Sequence, residues 1–396
     1  MTDDPLLIHR PHFAILEQTN YLISNSLGAV PREAALALAE FYEIWASRGV
    51  RAWEEGWWEL VETTGDLVAP LIAAGPGQVV FQPCVTIAHA VVLSVFEPSA
   101  GRSRLVIDEG HFPSILYLVG EQARRGFEVV VIPGRSDGSF DLDRFLAAID
   151  GRTAAALACH VQFRSSEIVD VAAIARQARA CGAYSIIDGY QAVGSIPVDV
   201  GRLGIDVYIG GCLKWLCGGP GNAFVWVAPE RLMELRPALT GWMAHRRPFA
   251  FERTLDRRDG AGRLLHGTPN IAALYAARPA LERIAGIGLD AIRAKSLRQT
   301  GHLLALADAR GWPTPTPRDP DRRGGTVALG VPNGLPVSRA LKARDILCDY
   351  RPGVGIRLSP HFYNRDDELD AAIGAIDEIL STQSWRDHIA RDSPVT

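Results

Sequence analysis

Between about residue 66 and residue 290, short and almost wholly apolar runs alternate with longer stretches whose apolar residues recur at helical spacing. The runs RLVID (104–108), FEVVVIP (127–133), TAAALAC (153–159), AYSIID (183–188), DVYIGG (206–211) and AFVWV (223–227) have strand length. They do not alternate apolar with polar, so they predict a mainly parallel sheet buried on both faces and sandwiched by helices. Helices are expected over 85–96, 113–125, 141–149 and 170–181. Upstream, PREAALALAEFYEIWASRG (31–49) has helical apolar spacing with Gly49 as its stop, and NSLGAVP (25–31) reads as a turn. Beyond about 290 come a long helix, strand GTVALGV (325–331), helix 336–344, strand GIRLSP (355–360) and helix 366–381. Proline-rich GWPTPTPRDP (311–320) is a loop at the edge of that piece. The pattern predicts an α/β protein in three parts: an N-terminal arm and helical segment (1–65), a large sheet domain (66–290) and a small C-terminal α/β domain (291–396).

With 396 residues, 47% hydrophobic, 22% charged and a net charge of −4, the chain has the balance of a soluble globular protein. No run reaches the roughly 20 apolar residues of a membrane span. The segment VTIAHAVVLSVF (85–96) is too short and carries His89. MTDDPLLIHRPHF lacks a basic-then-apolar secretory pattern. The six scattered cysteines (84, 159, 181, 212, 217, 348) form no CxxC pair and read as small buried hydrophobes in a reducing compartment, so a cytoplasmic location is expected. RTLDRRDGAGR (253–263) is mixed in sign and reads as a solvated loop. Neither nucleic acid nor a membrane is an expected partner, and no metal site is expected.

Candidate chemistry starts at Lys214, in GGCLKWLCGGPG (210–221), 26 positions after Asp188 in YSIIDGYQ. An apolar run ending in Asp reads as a buried strand delivering a carboxylate to the sheet edge where α/β enzymes bind ligands. A lysine among Gly, Cys, Leu and Trp is poorly solvated, so its pKa should fall and its amine should become a Schiff-base nucleophile. Pyridoxal phosphate needs that pair, a lysine for its aldehyde and an anion for its ring nitrogen. A solvated lysine and a capping aspartate are the plain alternative. Other segments point to the same edge. Thr86 opens a helix that could hold a phosphate, or serves as an ordinary N-cap. Phe112 follows a strand and could stack on a heterocycle or pack in the core. HVQFRSS (160–166) adds hydroxyls and Arg164, and Gln191 lies three residues beyond Asp188. Thr268 in HGTPNI precedes a helix, while Trp242 in GWMAH either donates its indole N–H or packs. Arg357, between Ile356 and Leu358, offers a fork of donors suited to a carboxylate, or a surface ion pair.

Taken together, the segments YLISNSLGAVP (21–31), HFPSILY (111–117), HVQFRSSEIVDVAAIARQARACGAYSIIDGYQAVGSIPVDV (160–200), CLKWLCGGPG (212–221), GWMAH (241–245) and HGTPNI (266–271) resemble the kynureninase branch of the class V, fold-type I pyridoxal-phosphate enzymes. The resemblance runs over nearly the whole chain. It implies the cofactor pyridoxal 5'-phosphate, with Lys214 as Schiff-base lysine, Asp188 as partner of the ring nitrogen and Phe112 stacked on the ring. Val85, Thr86, Ser165, Gln191, Trp242 and Thr268 would complete the cofactor contacts, Thr268 from a second subunit. Arg357 would hold the carboxylate of a small amino-acid substrate, with Asn25 beside it, in a homodimer with a shared active site. Three positions depart from the family's usual residues: Ile115 stands where the family has Asp, Gln191 where it has His, and Leu213 where it has Tyr.

The resemblance leads to hydrolysis of the kynureninase type, cleaving the Cβ–Cγ bond of L-kynurenine or a related aryl-keto amino acid to an aryl acid and alanine. Trp57, Trp58 and Trp242 are candidates for an aryl pocket. The departures keep a rival in view: transamination, β-elimination, carbon–sulfur cleavage or amino-acid cyclisation in specialised metabolism. A non-catalytic binding protein is disfavoured, because a bare scaffold need not keep a buried ammonium.

Overall fold

The computed structural model describes residues 4–99 and 101–389; the first three residues of the arm and the last seven of the C-terminal piece lie outside it. Its centre is a seven-stranded sheet. In spatial order the strands are Val79–Gln82, Ala223–Val227, Val207–Gly211, Tyr184–Asp188, Thr153–Cys159, Arg104–Asp108 and Glu128–Ile132. Only Ala223–Val227 runs antiparallel to its neighbours, so the sheet is mainly parallel as expected. The central strands are buried along their whole length, which is why their sequences carry no polar alternation.

Several expected bounds move for local reasons. The helix expected over 85–96 is Val85–Leu93, starting at Val85 with Cys84 as N-cap. The helix expected over 113–125 is Pro113–Gly120 followed by a 3-10 turn, Glu121–Arg125. The edge strand Val79–Gln82 escaped the sequence pattern, its four residues being hidden between Gly77 and Pro83. Near residue 290 there are two helices, Ile271–Ile287 and Leu289–Asp308, split at Gly288, whose φ of +86° suits only glycine comfortably.

A second apolar cluster gathers Leu303, Leu304, Val327, Leu329, Val337, Leu341, Ile356, Leu358 and the inner face of helix Asp366–Ser381. Its antiparallel sheet has the order Asp349–Arg351, Gly355–Leu358, Val327–Leu329. The N-terminal segment ties the two clusters together. Asn20–Tyr21 pairs in parallel with Ile346–Leu347, and Leu22 enters the second cluster while Phe13, Leu16 and Tyr21 enter the first.

Two readings are corrected. Cys84 is exposed and Cys181 half-buried, so only the other four cysteines are buried. The end of 253–263 is not a solvated loop: Ala261, Gly262 and Arg263 are buried, and Arg263 donates to the carbonyl of Leu232 at 2.9 Å. Among the described residues no helix is long and apolar enough to cross a membrane.

Candidate active site

The C-terminal ends of the parallel strands open onto a cavity of about 300 Å³ lined by Asn25, Val85, Phe112, Asp188, Gln191, Lys214 and Arg357. Asp188 ends its strand, buried, and its Oδ1 accepts the backbone N–H of Tyr190 at 2.9 Å. Gly189 follows because a Cβ there would lie 2.2 Å from the Tyr208 ring. Lys214 sits in the connection between two antiparallel strands, pinned by Cys212 N–H to Asn222 O at 2.8 Å and Gly218 N–H to Cys212 O at 2.7 Å. The NSLG turn has a matching purpose. Gly28 donates its N–H to Leu213 O at 2.9 Å, and a Cβ on it would stand 2.0 Å from Lys214 O.

Among the described residues, Lys214 Nζ makes no hydrogen bond or ion pair. It lies 4.6 Å from the centre of the Tyr190 ring and 5.8 Å from that of Phe112. Burial pushes its pKa down to about 8, with Asp188 opposing the fall. The amine is therefore partly neutral near physiological pH, the form that attacks a carbonyl. Beside the floor, Asp108 Oδ1 meets His111 Nδ1 at 2.6 Å, and Cys159, the strand partner of Asp188, has its thiol pushed up to about 11 by burial.

On the opposite side Arg357 is paired with a carboxylate, but the pair is buried rather than at the surface. Asp349 accepts Nε at 2.8 Å and also Nη2, while Phe163 O accepts Nη1. Gln191 is likewise engaged: its Nε2 donates to Asn25 O and its Oε1 accepts from Trp215 Nε1, each at 2.9 Å. The Asn25 side chain is buried with neither Nδ2 nor Oδ1 partnered. An unpaired buried amide on a cavity wall fits a bound polar group.

The remaining predicted residues do not line this cavity. Thr86 is half-buried in the first turn of helix Val85–Leu93, one residue beyond the lining Val85. Ser165 is buried beside Asp108 and Gln162 in a separate recess. Trp242 and Thr268 border two other hollows, Thr268 exposed and Trp242 packed among Trp58, Phe249 and Phe251. Trp57 is buried against Phe41, so neither it nor Trp58 lines the Lys214 cavity. Sequence reasoning missed Tyr190, Phe163, Asp349 and Arg351. The last two were legible only as half of a hairpin, DYRPGVGIR, whose Pro-Gly turn brings Asp349 opposite Arg357.

The donor set fits pyridoxal 5'-phosphate: an amine of lowered pKa, a carboxylate for a ring nitrogen, an aromatic ring and a helix start for a phosphate. Residues 20–346 match the Aminotransferase class-V family, and the chain belongs to it, as a pyridoxal-phosphate-dependent enzyme of fold type I. Within that family it falls in a kynureninase-like branch. It is 33% identical over 400 residues to a kynureninase of Burkholderia pseudomallei, covering 97% of this chain and 94% of that one. It is 34% identical over 399 residues to a kynureninase of Pseudomonas fluorescens, covering 96% and 94%. Solved structures share the fold at lower identity. An apo cysteine desulfurase from Thermococcus onnurineus superposes with a TM-score of 0.81 at 20% identity, covering 95% of this chain and 98% of that one. A cystine C–S lyase does so with 0.82 at 18%, covering 92% and 98%.

Proposed function

We propose that the enzyme is a hydrolase of the kynureninase type, cleaving the Cβ–Cγ bond of L-kynurenine or a related aryl-keto amino acid with water to give an aryl acid and alanine. The observation that carries this reading is the composition of the cavity. Lys214 and Asp188 lie on one side and Arg357 on the other, and Phe112, Ile115, Val161, Phe163 and Leu213 form an apolar wall that suits an aryl group. The full-length similarity to kynureninases supports it.

Pyridoxal phosphate, when bound, supplies an aldehyde for the substrate amine and a ring that withdraws electrons from Cα. The chain does the rest. Arg357 holds the α-carboxylate with the Nη1 and Nη2 hydrogens that Asp349 and Phe163 O leave unused. Asp188 would hold a proton on the ring nitrogen. Val85, at a helix start with Thr86 next to it, would hold the phosphate, Phe112 would offer an aromatic face to the ring, and Gln191 and Asn25 would offer amide hydrogens to polar edges. Lys214, its amine near neutrality, moves the Cα proton and serves as base toward the water that attacks Cγ.

The functional unit we propose is a homodimer in which Trp242 and Thr268 complete the partner's cavity. They lie outside their own chain's cavity, Phe251 beside Trp242 is 78% exposed, and helix Glu33–Arg48 exposes Leu36 at 72% and Trp45 at 59%. The proposed division of the chain remains 1–65, 66–290 and 291–396, with Trp57, Leu60, Phe362 and Tyr363 packing across those bounds into the first apolar cluster.

The test is incubation with L-kynurenine or 3-hydroxykynurenine, following a fluorescent anthranilate and free alanine. A second reading, a class V aminotransferase, a C–S lyase or an amino-acid cyclising enzyme, is favoured by Ile115 and Leu213, which bring no polar group to the cavity. Amino-group exchange with keto acids and no anthranilate would decide for it.

A further inference from the structure

One cation of the cavity has no part in the reaction as described. Arg351 lines the same space as Lys214 and Arg357. The small hairpin explains its position. Asp349 and Arg351 are two residues apart on one strand, hence on one face, and Arg357 is the cross-strand partner of Asp349. All three side chains therefore share the face turned to the cavity.

The charges on that face do not balance. Asp349, fully buried, accepts Nε and Nη2 of Arg357 and lies 3.2 Å from Nη2 of Arg351. One carboxylate thus serves two guanidiniums. Arg351 also donates Nη1 to Tyr350 O at 3.3 Å, a weak bond at the limit of useful length. Of its five N–H donors, most remain free for a ligand. A half-buried guanidinium short of a full counterion favours an incoming acceptor, and burial accordingly holds its pKa below the ordinary arginine range.

The spacing suits a particular ligand. Both Nη2 atoms reach the same oxygen, Asp349 Oδ2, so they stand no farther apart than two hydrogen bonds, about 6 Å. In an amino acid the α-carboxyl carbon and Cγ are three bonds apart, about 4 Å at most. A substrate whose carboxylate rests on Arg357 would carry an oxygen on Cγ into the range of Arg351.

We propose that Arg351 is a specificity residue that receives an oxygen acceptor borne on the substrate's Cγ, either a ketone or a carboxylate. This rests on the reading of Arg357 as the α-carboxylate site, and it extends that reading to the class of side chain the cavity selects.

The experiment compares three ligands on the cofactor-loaded enzyme: L-kynurenine (a Cγ ketone), L-aspartate (a Cγ carboxylate) and L-2-aminobutyrate (the carbon skeleton of aspartate with no Cγ oxygen). Dissociation constants are read from the change in the cofactor's visible spectrum, which requires no turnover. Arg351→Gln should weaken kynurenine, aspartate or both by roughly tenfold or more, and leave 2-aminobutyrate within about twofold. Loss for kynurenine alone identifies the ketone, and loss for aspartate alone the carboxylate. Arg357→Gln should weaken all three. If Arg351→Gln weakens all three equally, or none, the proposal is overturned. Arg351→Lys keeps a charge for Asp349 but not the fork, so it gives the same comparison should the glutamine variant fold poorly. The anthranilate assay on the unaltered enzyme is separate: its failure would remove the hydrolase reading and leave the binding result standing.

Discussion

The two sides of the cavity carry charge in opposite ways. On the floor, at the ends of the parallel strands, Lys214 has neither hydrogen bond nor ion pair among the described residues, and burial depresses its pKa. On the roof, Arg357 is more deeply buried than the half-buried Lys214 and is held from both ends by Asp349 and Phe163 O. The floor is left unsaturated, so a ligand completes it. The roof is stabilised in advance by Asp349, which Arg357 holds more closely than Arg351 does, so that Arg351 keeps donors for a ligand. Substitutions on the floor should therefore cost chemistry, and those on the roof should cost stability.

The largest effect that could break this contrast is at Lys214. Lys214→Ala should abolish the visible band that borohydride bleaches and lower turnover by roughly 10³-fold or more, with the urea midpoint nearly unchanged. A large loss of stability would place Lys214 with the roof. Asp188→Asn should follow the same pattern more mildly, lowering kcat by roughly 10²-fold while the protein still binds cofactor.

Asp349→Ala should do the reverse. Removing the carboxylate leaves two buried or half-buried guanidiniums uncompensated, a loss of about 3 kcal/mol or more in urea denaturation. An unchanged midpoint would mean the roof is not internally paired. Gly28→Ala joins the two sides. Its Cβ would stand 2.0 Å from Lys214 O, so we expect about 1–3 kcal/mol of destabilisation together with slower cofactor capture.

The smallest effect is on pH. Lys214 titrates near 8 when folded, against 10.5 for an ordinary lysine. Between those values the unfolded chain binds more protons, so the stability of the cofactor-free protein should rise as pH increases from 8 to 10.5. The rate of cofactor capture should climb with pH and level off above about 8, as the amine loses its proton. A rate still rising steeply beyond about pH 9, with no plateau until near the ordinary lysine value of 10.5, would show that burial does not depress this amine.

The sequence by itself determined the parallel sheet and its floor. Strands buried on both faces must be continuously apolar, so TAAALAC and YSIID were legible, and with them Asp188 at a strand end. Lys214 was legible from its glycine-rich, apolar surroundings. The helix 31–49 was legible as a helix, Glu33–Arg48, but not in its packing. Of its residues only Ala34 is buried, and Leu36, Tyr42 and Trp45 face outward. Apolar spacing records that a face will be covered and says nothing of what covers it.

Tertiary structure alone decided the roof and the reach of the distant motifs. Asp349 and Arg351 sit in short strands without apolar periodicity, and their importance comes from a cross-strand pairing with Arg357. Trp242, Thr268 and Ser165 carried plausible local signals, yet the fold sets them beside other recesses. Local sequence reports which face of an element is apolar, because that is settled within a few residues. Which charge meets which counterion depends on contacts between residues far apart in the chain, and only the folded arrangement fixes those.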